Sequence, residues 1–203
     1  MYLIIKRIFD ILVASILLLF FSPLMIIVAL IIKFSSQGPI FYRPKRAGLN
    51  GKPFLIFKFR TMYVGADKGN GTTALNDTRI FKNGMFLRNY KIDELPQLFN
   101  VLIGNMSLVG PRPELLDYVA RYEGEEKIIT TVKPGITDYS SCHFFRQEHW
   151  VGQHDVSKTF DKIVLPVKVL LRIKYVKEQS FYTDMKVLIL TSIVLLKKIL
   201  GIK

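Results

Sequence analysis

Residues Ile11 to Ile32 form a run of 22 in which only Ser15, Ser22 and Pro23 are not strongly apolar. A stretch this long and greasy must face lipid or fill a core, and it limits the fold more than any other feature. As a straight helix it would reach about 33 Å, enough for a hydrocarbon layer of about 30 Å. A transmembrane anchor is the plain reading. A signal peptide fits less well, because the run is too long and lacks a small-residue cleavage site. Two features favour a helix that enters the membrane and returns. Pro23 lies at the middle of the run, where proline withdraws one helical hydrogen bond and crowds the preceding turn, so a kink is expected at Ser22-Pro23. The backbone carbonyls freed there would need Ser22 or a neighbouring helix. Cations also flank both sides, Lys6 and Arg7 before and Lys33, Arg43, Lys45 and Arg46 after, and positive flanks mark the cytoplasmic side. Each half is then about 16 Å long, too short to cross alone.

The 203 residues suffice for one large domain or two small ones. They include 29 Lys and Arg against 16 Asp and Glu, for a net charge of +13 and a pI near 9.8. Half of the residues are hydrophobic and the mean hydropathy is +0.27, high for a soluble protein. Grease combined with positive charge implies a surface that meets anionic lipid, an anionic substrate, or both. A purely nucleic-acid-binding domain has little need for so much apolar surface. Cys142 is the sole cysteine, so no internal disulfide forms. His143, His149 and His154 lie near it, but their spacing does not match a zinc module and they are expected in a loop.

Beyond the apolar run, Gln37-Gly38-Pro39 breaks the helix. Ile40-Phe41-Tyr42, a turn at Gly48 to Pro53 and Phe54 to Arg60 predict a small β-hairpin. The polar, glycine-rich stretch from Gly65 to Asp77 reads as a loop, and its Gly69-Asn70-Gly71 is too weak a signal for a phosphate cradle. A helix follows, because Leu95, Leu98, Phe99 and Leu102 recur at i, i+3, i+4 and i+7 and Gly104 supplies a stop. At its start stand two adjacent acids, Asp93 and Glu94, in a basic chain. Asp93 suits the N-cap, with Pro96 in the first turn. Two readings compete. The pair could simply cap the helix and complement its dipole. Alternatively, with Arg88, Lys91 and Arg112 nearby, the helix start could hold a metal and a phosphate.

Several strings taken together decide more than any one of them. They are Lys6-Arg7-Ile8-Phe9-Asp10, Ser22-Pro23, Gly38-Pro39-Ile40-Phe41, Phe57 to Met62, Asp93 to Val101, Met106 to Pro113, and Lys133 to Thr137. In this order they resemble the bacterial sugar transferase family, the monotopic phosphoglycosyl transferases, over most of the chain, weakening after about Gln153. The resemblance implies a Mg²⁺-dependent enzyme of the bacterial inner membrane. It would move a sugar-1-phosphate from a UDP-sugar to polyprenyl phosphate on the cytoplasmic face, releasing UMP, in the initiation of a membrane glycoconjugate. It implies that Asp93 attacks the donor phosphate to form a covalent phosphosugar intermediate, that Glu94 helps hold Mg²⁺, and that the first helix is re-entrant. Longer relatives carry transmembrane segments before this core, so this chain is expected to be the minimal catalytic unit.

The chemistry is consistent. A carboxylate attacking phosphorus needs its target's charge neutralised, which Mg²⁺ and arginines can do. Mg²⁺ takes one or two carboxylates plus substrate phosphates, so a single Glu with a diphosphate suffices. Arg88 and Arg112 are candidates for the phosphate clamp, Arg112 with its backbone fixed between Pro111 and Pro113. Lys58 and Arg60 are further candidates, their alternative being a solvated hairpin face or a lipid headgroup contact. The stretch Asp138 to Glu148 departs from the Gly and Ala-Gln-Val pattern of many relatives; it is expected to touch nucleotide or sugar, with Arg146 leading.

In the last third, Phe160 to Glu178 and Val187 to Leu196 mix apolar and basic residues, with Pro166 expected in a first turn. Such helices suit a membrane surface; the alternative is that their apolar faces form the core of the cytoplasmic domain. The expected architecture is α/β and mostly helical. A re-entrant membrane helix broken at Ser22-Pro23 occupies 1–36, and 37–203 form a cytoplasmic, membrane-associated catalytic domain with a small β-hairpin and interfacial helices. The partners are a UDP-sugar, polyprenyl phosphate and membrane lipid, with no nucleic acid expected. The competing function is a membrane-tethered basic adaptor for anionic lipid or nucleic acid, which leaves the acidic pair and Gly110-Pro111-Arg112-Pro113 without a purpose.

Overall fold

A computed structural model describes residues 1–66, 77–145 and 156–201. The chain is mostly helical, with three small two-stranded ladders. The apolar run belongs to a helix α1, Tyr2–Ser35, of 34 residues with Pro23 inside it. At 1.5 Å per residue it is about 51 Å long if straight. Among the described residues it is the one helix long and apolar enough to cross a membrane.

The helix continues through Ser22-Pro23 rather than ending there. Pro23 cannot donate to the carbonyl four residues back, which is that of Leu19. Ser22 Oγ donates to the Leu19 carbonyl instead, at 2.8 Å. The hydrogen bond that proline removes is thus replaced by the side chain beside it.

α1 turns a narrow stripe inward. Lys6, Asp10, Ala14, Met25, Val28 and Ile32 are buried, whereas Leu3, Ile4, Leu12, Ile16, Leu19, Phe20, Ile26, Ile27 and Phe34 are exposed. Ala14 packs with Leu98, Val101, Met106, Leu108, Val109, Tyr175 and Val187 in the principal core. Met25, Val28 and Ile32 pack with Phe59, Phe81 and Leu87 in a second one.

The expected hairpin is present as two antiparallel ladders. β1, Phe41–Tyr42, pairs with β4, Lys58–Phe59, and β2, Lys45–Ala47, pairs with β3, Pro53–Leu55. Both ladders keep one register, from Phe41 opposite Phe59 to Ala47 opposite Pro53. The ladder is interrupted beside Pro44, which has no N–H to give but still accepts from Ile56 N at 3.1 Å. Helix α2, Lys82–Asn89, and α3, Gln97–Ile103, enclose the acidic pair between them. α3 ends at Gly104, whose φ of 91° is the left-handed cap a glycine adopts readily. The parallel pair β5, Ser107–Val109, and β6, Gly135–Thr137, follows, with the short α4, Leu116–Val119, between them.

Among the described residues three more helices come after α5, Tyr139–His143. These are α6, Val156–Thr159, α7, Leu165–Lys177, and α8, Phe181–Ile199, with a π-helical turn Phe160–Val164 before α7. Pro166 stands in the first turn of α7, as expected, and Val169, Ile173 and Tyr175 of that helix are core. α8 is longer than the apolar stretch suggested, because Ser180 caps it by accepting from Thr183 N. Cys142 and His143 lie in α5 and not in a loop; His149 and His154 fall outside the described residues, as does the center of the expected loop, 67–76.

The cations at the start of α1 are internal ties. Lys6 Nζ donates to Asp184 Oδ2 at 2.7 Å, and Tyr175 OH donates to Asp184 Oδ1 at 2.7 Å. Arg7 donates to the Val101 and Leu102 carbonyls at 2.6 and 2.8 Å, capping the negative end of α3. Asp10 Oδ1 accepts from Leu108 N at 3.1 Å. At the other end, Asn83 Nδ2 donates to Ser35 Oγ at 2.7 Å, and Arg60 donates to Ser36 Oγ and the Ser36 carbonyl at 2.9 and 2.7 Å. Breaking a buried ion pair costs about 3–5 kcal/mol because the surviving charge stays buried. Lys6→Met is therefore expected to lower the free energy of unfolding by that order. A loss below about 1 kcal/mol, the worth of a surface pair, would contradict this role for Lys6.

Candidate active site

The acidic pair does not cap a long helix. Ile92–Glu94 form a 3-10 turn entered through Lys91, whose φ of 58° is left-handed, and α3 begins only after Pro96, which takes the N-cap position. The expected N-cap role of Asp93 is thus corrected. Pro96 in the middle of the acidic string suits a helix start and displaces the cap three residues beyond Asp93. The turn presents both carboxylates, Asp93 buried and Glu94 half-buried, to one cavity of about 950 Å³.

Glu94 is the junction of the site. Its Oε1 accepts from Arg112 Nη2, and from Lys58 Nζ at 3.1 Å. Burial opposes the ionised form of Glu94, but Arg112, Lys58 and Lys91 together outweigh it and hold the carboxyl well below the usual range. Burial likewise lowers Lys58, with Glu94 acting against it. Burial works against the Arg112 cation too, but Glu94 prevails and raises it.

Asp93 is in the opposite state. Burial, reinforced by the Glu94 charge, raises its carboxyl, with Lys58, Arg88 and Lys91 pulling the other way. Its Oδ1 is buried and has no hydrogen-bond partner. Two adjacent carboxylates thus divide into one that is ion-paired and one whose oxygen is uncommitted. Such a division marks groups with different chemical roles.

Arg112 is aimed by a close crossing of two loops. Gly110 N donates to the Thr137 carbonyl and Gly135 N to the Pro111 carbonyl, both at 3.0 Å. A Cβ on Gly135 would fall 2.1 Å from Gly110 N, so no larger residue fits there. Arg112 Nη1 donates to the Ile136 carbonyl at 3.1 Å and Arg112 N to Asp138 Oδ2 at 3.1 Å. Asp138 is fully buried, accepts from Ser141 N at 2.6 Å to cap α5, and lies 3.7 Å from Arg172 Nε. Arg172 in turn donates to Glu114 Oε2 at 3.0 Å.

The structure brings Asp93, Glu94, Lys58, Arg88 and Arg112 to one cavity wall. Arg60 also borders the cavity, but its Nε donates to the Pro39 carbonyl at 2.6 Å and its other nitrogens to Ser36, which commits it to holding the end of α1. Arg146 lies outside the described residues. Of its stretch, Ser140, Ser141, Cys142, Phe144 and Phe145 line the cavity. Lys168 also lines it, lowered to about 8 by burial and by Arg172. Sequence reading missed Lys168, the Asp138–Arg172–Glu114 network and Asn100. Asn100 is fully buried, accepts from Phe57 N at 2.8 Å and donates to the Leu55 carbonyl at 2.8 Å, fixing the hairpin to α3. No periodicity could have found these, but two polar residues three positions apart in an otherwise apolar α3, Gln97 and Asn100, were a usable signal for Asn100.

A carboxyl raised by its fold weakens the fold once it ionises. Stability tied to the neutral form of Asp93 is present below the ordinary aspartate range and lost as pH rises through the raised value. Asp93→Asn is thus expected to raise the free energy of unfolding at neutral pH, on the order of 1 kcal/mol. That gain should vanish near pH 4, where the unfolded-state carboxyl also protonates. Gly135→Ala is expected to lower the free energy of unfolding by more than about 2 kcal/mol, because backbone meets the new Cβ. Calorimetry over a pH series checks both.

The geometry agrees with the similarities of the chain. Residues 1–198 match the family model described as bacterial sugar transferase. A UDP-glucose:undecaprenyl-phosphate glucose-1-phosphate transferase from Xanthomonas campestris pv. campestris is 39% identical over 198 residues, covering 93% of this chain and 38% of that protein. One of the same name from Escherichia coli K12 is 39% identical over 191 residues, covering 92% and 39%. The sugar transferase EpsL of Bacillus subtilis is 37% identical over 188 residues, covering 93% and 85%. The chain thus spans 38 and 39% of the lengths of the first two relatives. With the acidic turn, its cations and the crossing glycine loops in one wall, and a match along almost its whole length, this chain belongs to the bacterial sugar transferase family.

Proposed function

We propose that the protein transfers a sugar-1-phosphate from a UDP-sugar to a polyprenyl phosphate, with Asp93 as the nucleophile. The observation that carries this reading is the division of the acidic pair: Glu94 is locked to Arg112 and Lys58, while Asp93 Oδ1 has no partner and faces the cationic cavity. An Asp93 oxygen attacks the phosphorus that bears the sugar. An Asp–O–P bond forms, the bond to the bridging oxygen of the diphosphate breaks, and UMP leaves with that oxygen. An oxygen of polyprenyl phosphate then attacks the same phosphorus, and the Asp93 carboxylate is the leaving group. Arg112, Arg88 and Lys58 neutralise the phosphate charge that otherwise repels a carboxylate. Burial leaves Asp93 poorly solvated, so little water is stripped from it before attack.

Glu94 fits a Mg²⁺ ion, being ionised and receiving both cation bonds on Oε1, with neither on Oε2. Among the described residues no group of three or more His, Cys, Asp and Glu side chains surrounds a metal position, so donor phosphates and water would complete the shell. When bound, the ion would supply Lewis-acid stabilisation of the phosphoryl oxygens.

We further read α1 as re-entrant. Its first two turns are tied to α3, β5 and α8 and its last residues to α2 and Arg60, so one body holds both ends. If α1 spanned a bilayer, these polar ties would have to reach both sides of it. The exposed aliphatic face then lies in one leaflet of the inner membrane, with the cavity on the cytoplasmic side. The same arrangement places a soluble donor and a lipid acceptor at one carboxylate.

The first test is exchange of labelled UMP into a UDP-sugar with Mg²⁺ and no acceptor, screened over UDP-sugars. Wild type should catalyse exchange, and Asp93→Asn should reduce it at least about 10³-fold. Undiminished exchange in that variant sinks the nucleophile assignment. Because Asp93 must be ionised and its carboxyl is raised, activity should fall as pH drops toward the acid side. Lys58→Met removes a cation that lowers Asp93, so its acid limb should move to higher pH whatever its residual rate. For the anchor, Leu3→Cys and Gln37→Cys in a Cys142→Ala background should both react with an impermeant maleimide from the cytoplasmic face. Reaction from opposite faces would exclude re-entry.

A further inference from the structure

The small polar side chains beside Arg112 have their hydrogens committed within the protein. Thr137, Ser141, Cys142 and Thr191 line the same cavity as the acidic turn. Ser141 Oγ donates to Asp138 Oδ1 at 2.7 Å. Thr191 Oγ1 donates to the Val187 carbonyl one turn back on α8, at 2.8 Å. Its one hydrogen is then spent, so in the 2.7 Å contact between Thr137 Oγ1 and Thr191 Oγ1 it is Thr137 that donates. The Cys142 thiol, with Sγ 3.3 Å from Thr191 Oγ1, gives its hydrogen to the same oxygen. What Thr137 Oγ1 and Ser141 Oγ have left to offer a ligand is lone pairs. This part of the wall therefore accepts hydrogen bonds and donates none.

Arg112 joins these hydroxyls to the acidic turn. Its Nη2 donates to Glu94, and its Nη1 donates at 3.1 Å to the carbonyl of Ile136, the residue before Thr137. Its amide donates at 3.1 Å to Asp138, the carboxylate that holds Ser141. A group bonded to a phosphate beside Arg112 thus has Thr137 and Ser141 as its neighbours.

We propose that Thr137 and Ser141 accept hydrogen bonds from hydroxyl groups of the donor's sugar. This rests on the transferase reading above and assigns residues that recognise the sugar in it. The occupant follows from the direction of the bonds. Phosphate oxygens only accept, so they would meet this wall lone pair to lone pair, and the cations already serve them. Uracil carries one N–H between two carbonyl oxygens, so most of its polar edge is mismatched in the same way. A hexose carries several hydroxyls that can each donate, and it is bonded to the phosphorus that Asp93 attacks. A site built to bond a hydroxyl also rejects a sugar that lacks it, because the acceptor is then left unpaired.

The test compares binding of the sugar with binding of the rest of the donor. Thr137→Val keeps the shape of the side chain without its oxygen, and Ser141→Ala keeps the amide that caps α5. With the UDP-sugar that exchanges UMP fastest, each substitution should raise the KM about three- to tenfold. The inhibition constant of UDP, which has the base and both phosphates but no sugar, should stay within about twofold of wild type. Thr137→Ser returns the oxygen and should recover most of the loss. An unchanged KM in either variant overturns the proposal, and so does UDP binding that weakens in parallel with the KM. A wild type that exchanges UMP into no UDP-sugar overturns the transferase reading, and this assignment with it.

The hydroxyls can also be removed from the sugar. Among monodeoxy analogues of the donor, at least one should cost wild type about three- to tenfold in KM but cost Thr137→Val less than about twofold, because its partner oxygen is already gone. Equal losses in the two enzymes at every position would overturn the pairing with Thr137.

Discussion

Glu94 Oε1 joins three segments that are far apart in the chain. Lys58 comes from the hairpin, Glu94 from the 3-10 turn, and Arg112 from the loop that crosses β6. Pairing alone does not make this a source of stability, because buried ion pairs lose in desolvation much of what they gain by attraction. Its effect is positional. The three segments converge with fixed geometry, and the neighbouring carboxylate is left in a buried, cationic pocket with its Oδ1 unpartnered. Asp93 is raised in part because Glu94 is charged beside it. The ion-paired acid and its raised neighbour thus depend on each other.

A second layer supports that junction. Gly110 and Gly135 approach so closely that backbone meets backbone, which fixes the start of the Gly110-Pro111-Arg112 loop. Asp138 takes the Arg112 amide and caps α5, and Arg172 and Glu114 neutralise the charges around it. The site is therefore carried by the rigid parts of the fold, and the apolar helices α1 and α8 complete its wall. α1 is then more than an anchor. Its inner stripe contributes to two cores, its ends are bonded to the rest of the fold, and its outer face is exposed and apolar.

Much of this was legible from residue pattern. The hairpin, the stop at Gly104 and the start at Pro166 came from turn chemistry and local sterics, which act within a few residues. The need for Ser22 to replace the bond lost at Pro23 was legible too, and its contact with Leu19 meets it. The position of Asp93 was misjudged because a 3-10 turn and a proline-started helix give nearly the same apolar spacing as one continuous helix. Lys6 and Arg7 looked like positive flanks on the cytoplasmic side of the apolar run, yet their partners lie 178 and 94 residues away in sequence. Arg60 looked like a phosphate ligand for the same reason: the residue type shows the charge and not its partner. The links of Arg172 to Glu114 and Asp138 were invisible because no period connects residues on different elements.

The claim that decides the account is chemical: one oxygen of Asp93 becomes bonded to phosphorus. Incubating the protein with its UDP-sugar and Mg²⁺ in the absence of lipid acceptor, quenching, and sequencing peptides by mass spectrometry tests it directly. The account predicts a phosphosugar mass on Asp93 that disappears when polyprenyl phosphate is added. An adduct on Glu94, or full turnover with no adduct on any residue, would contradict it.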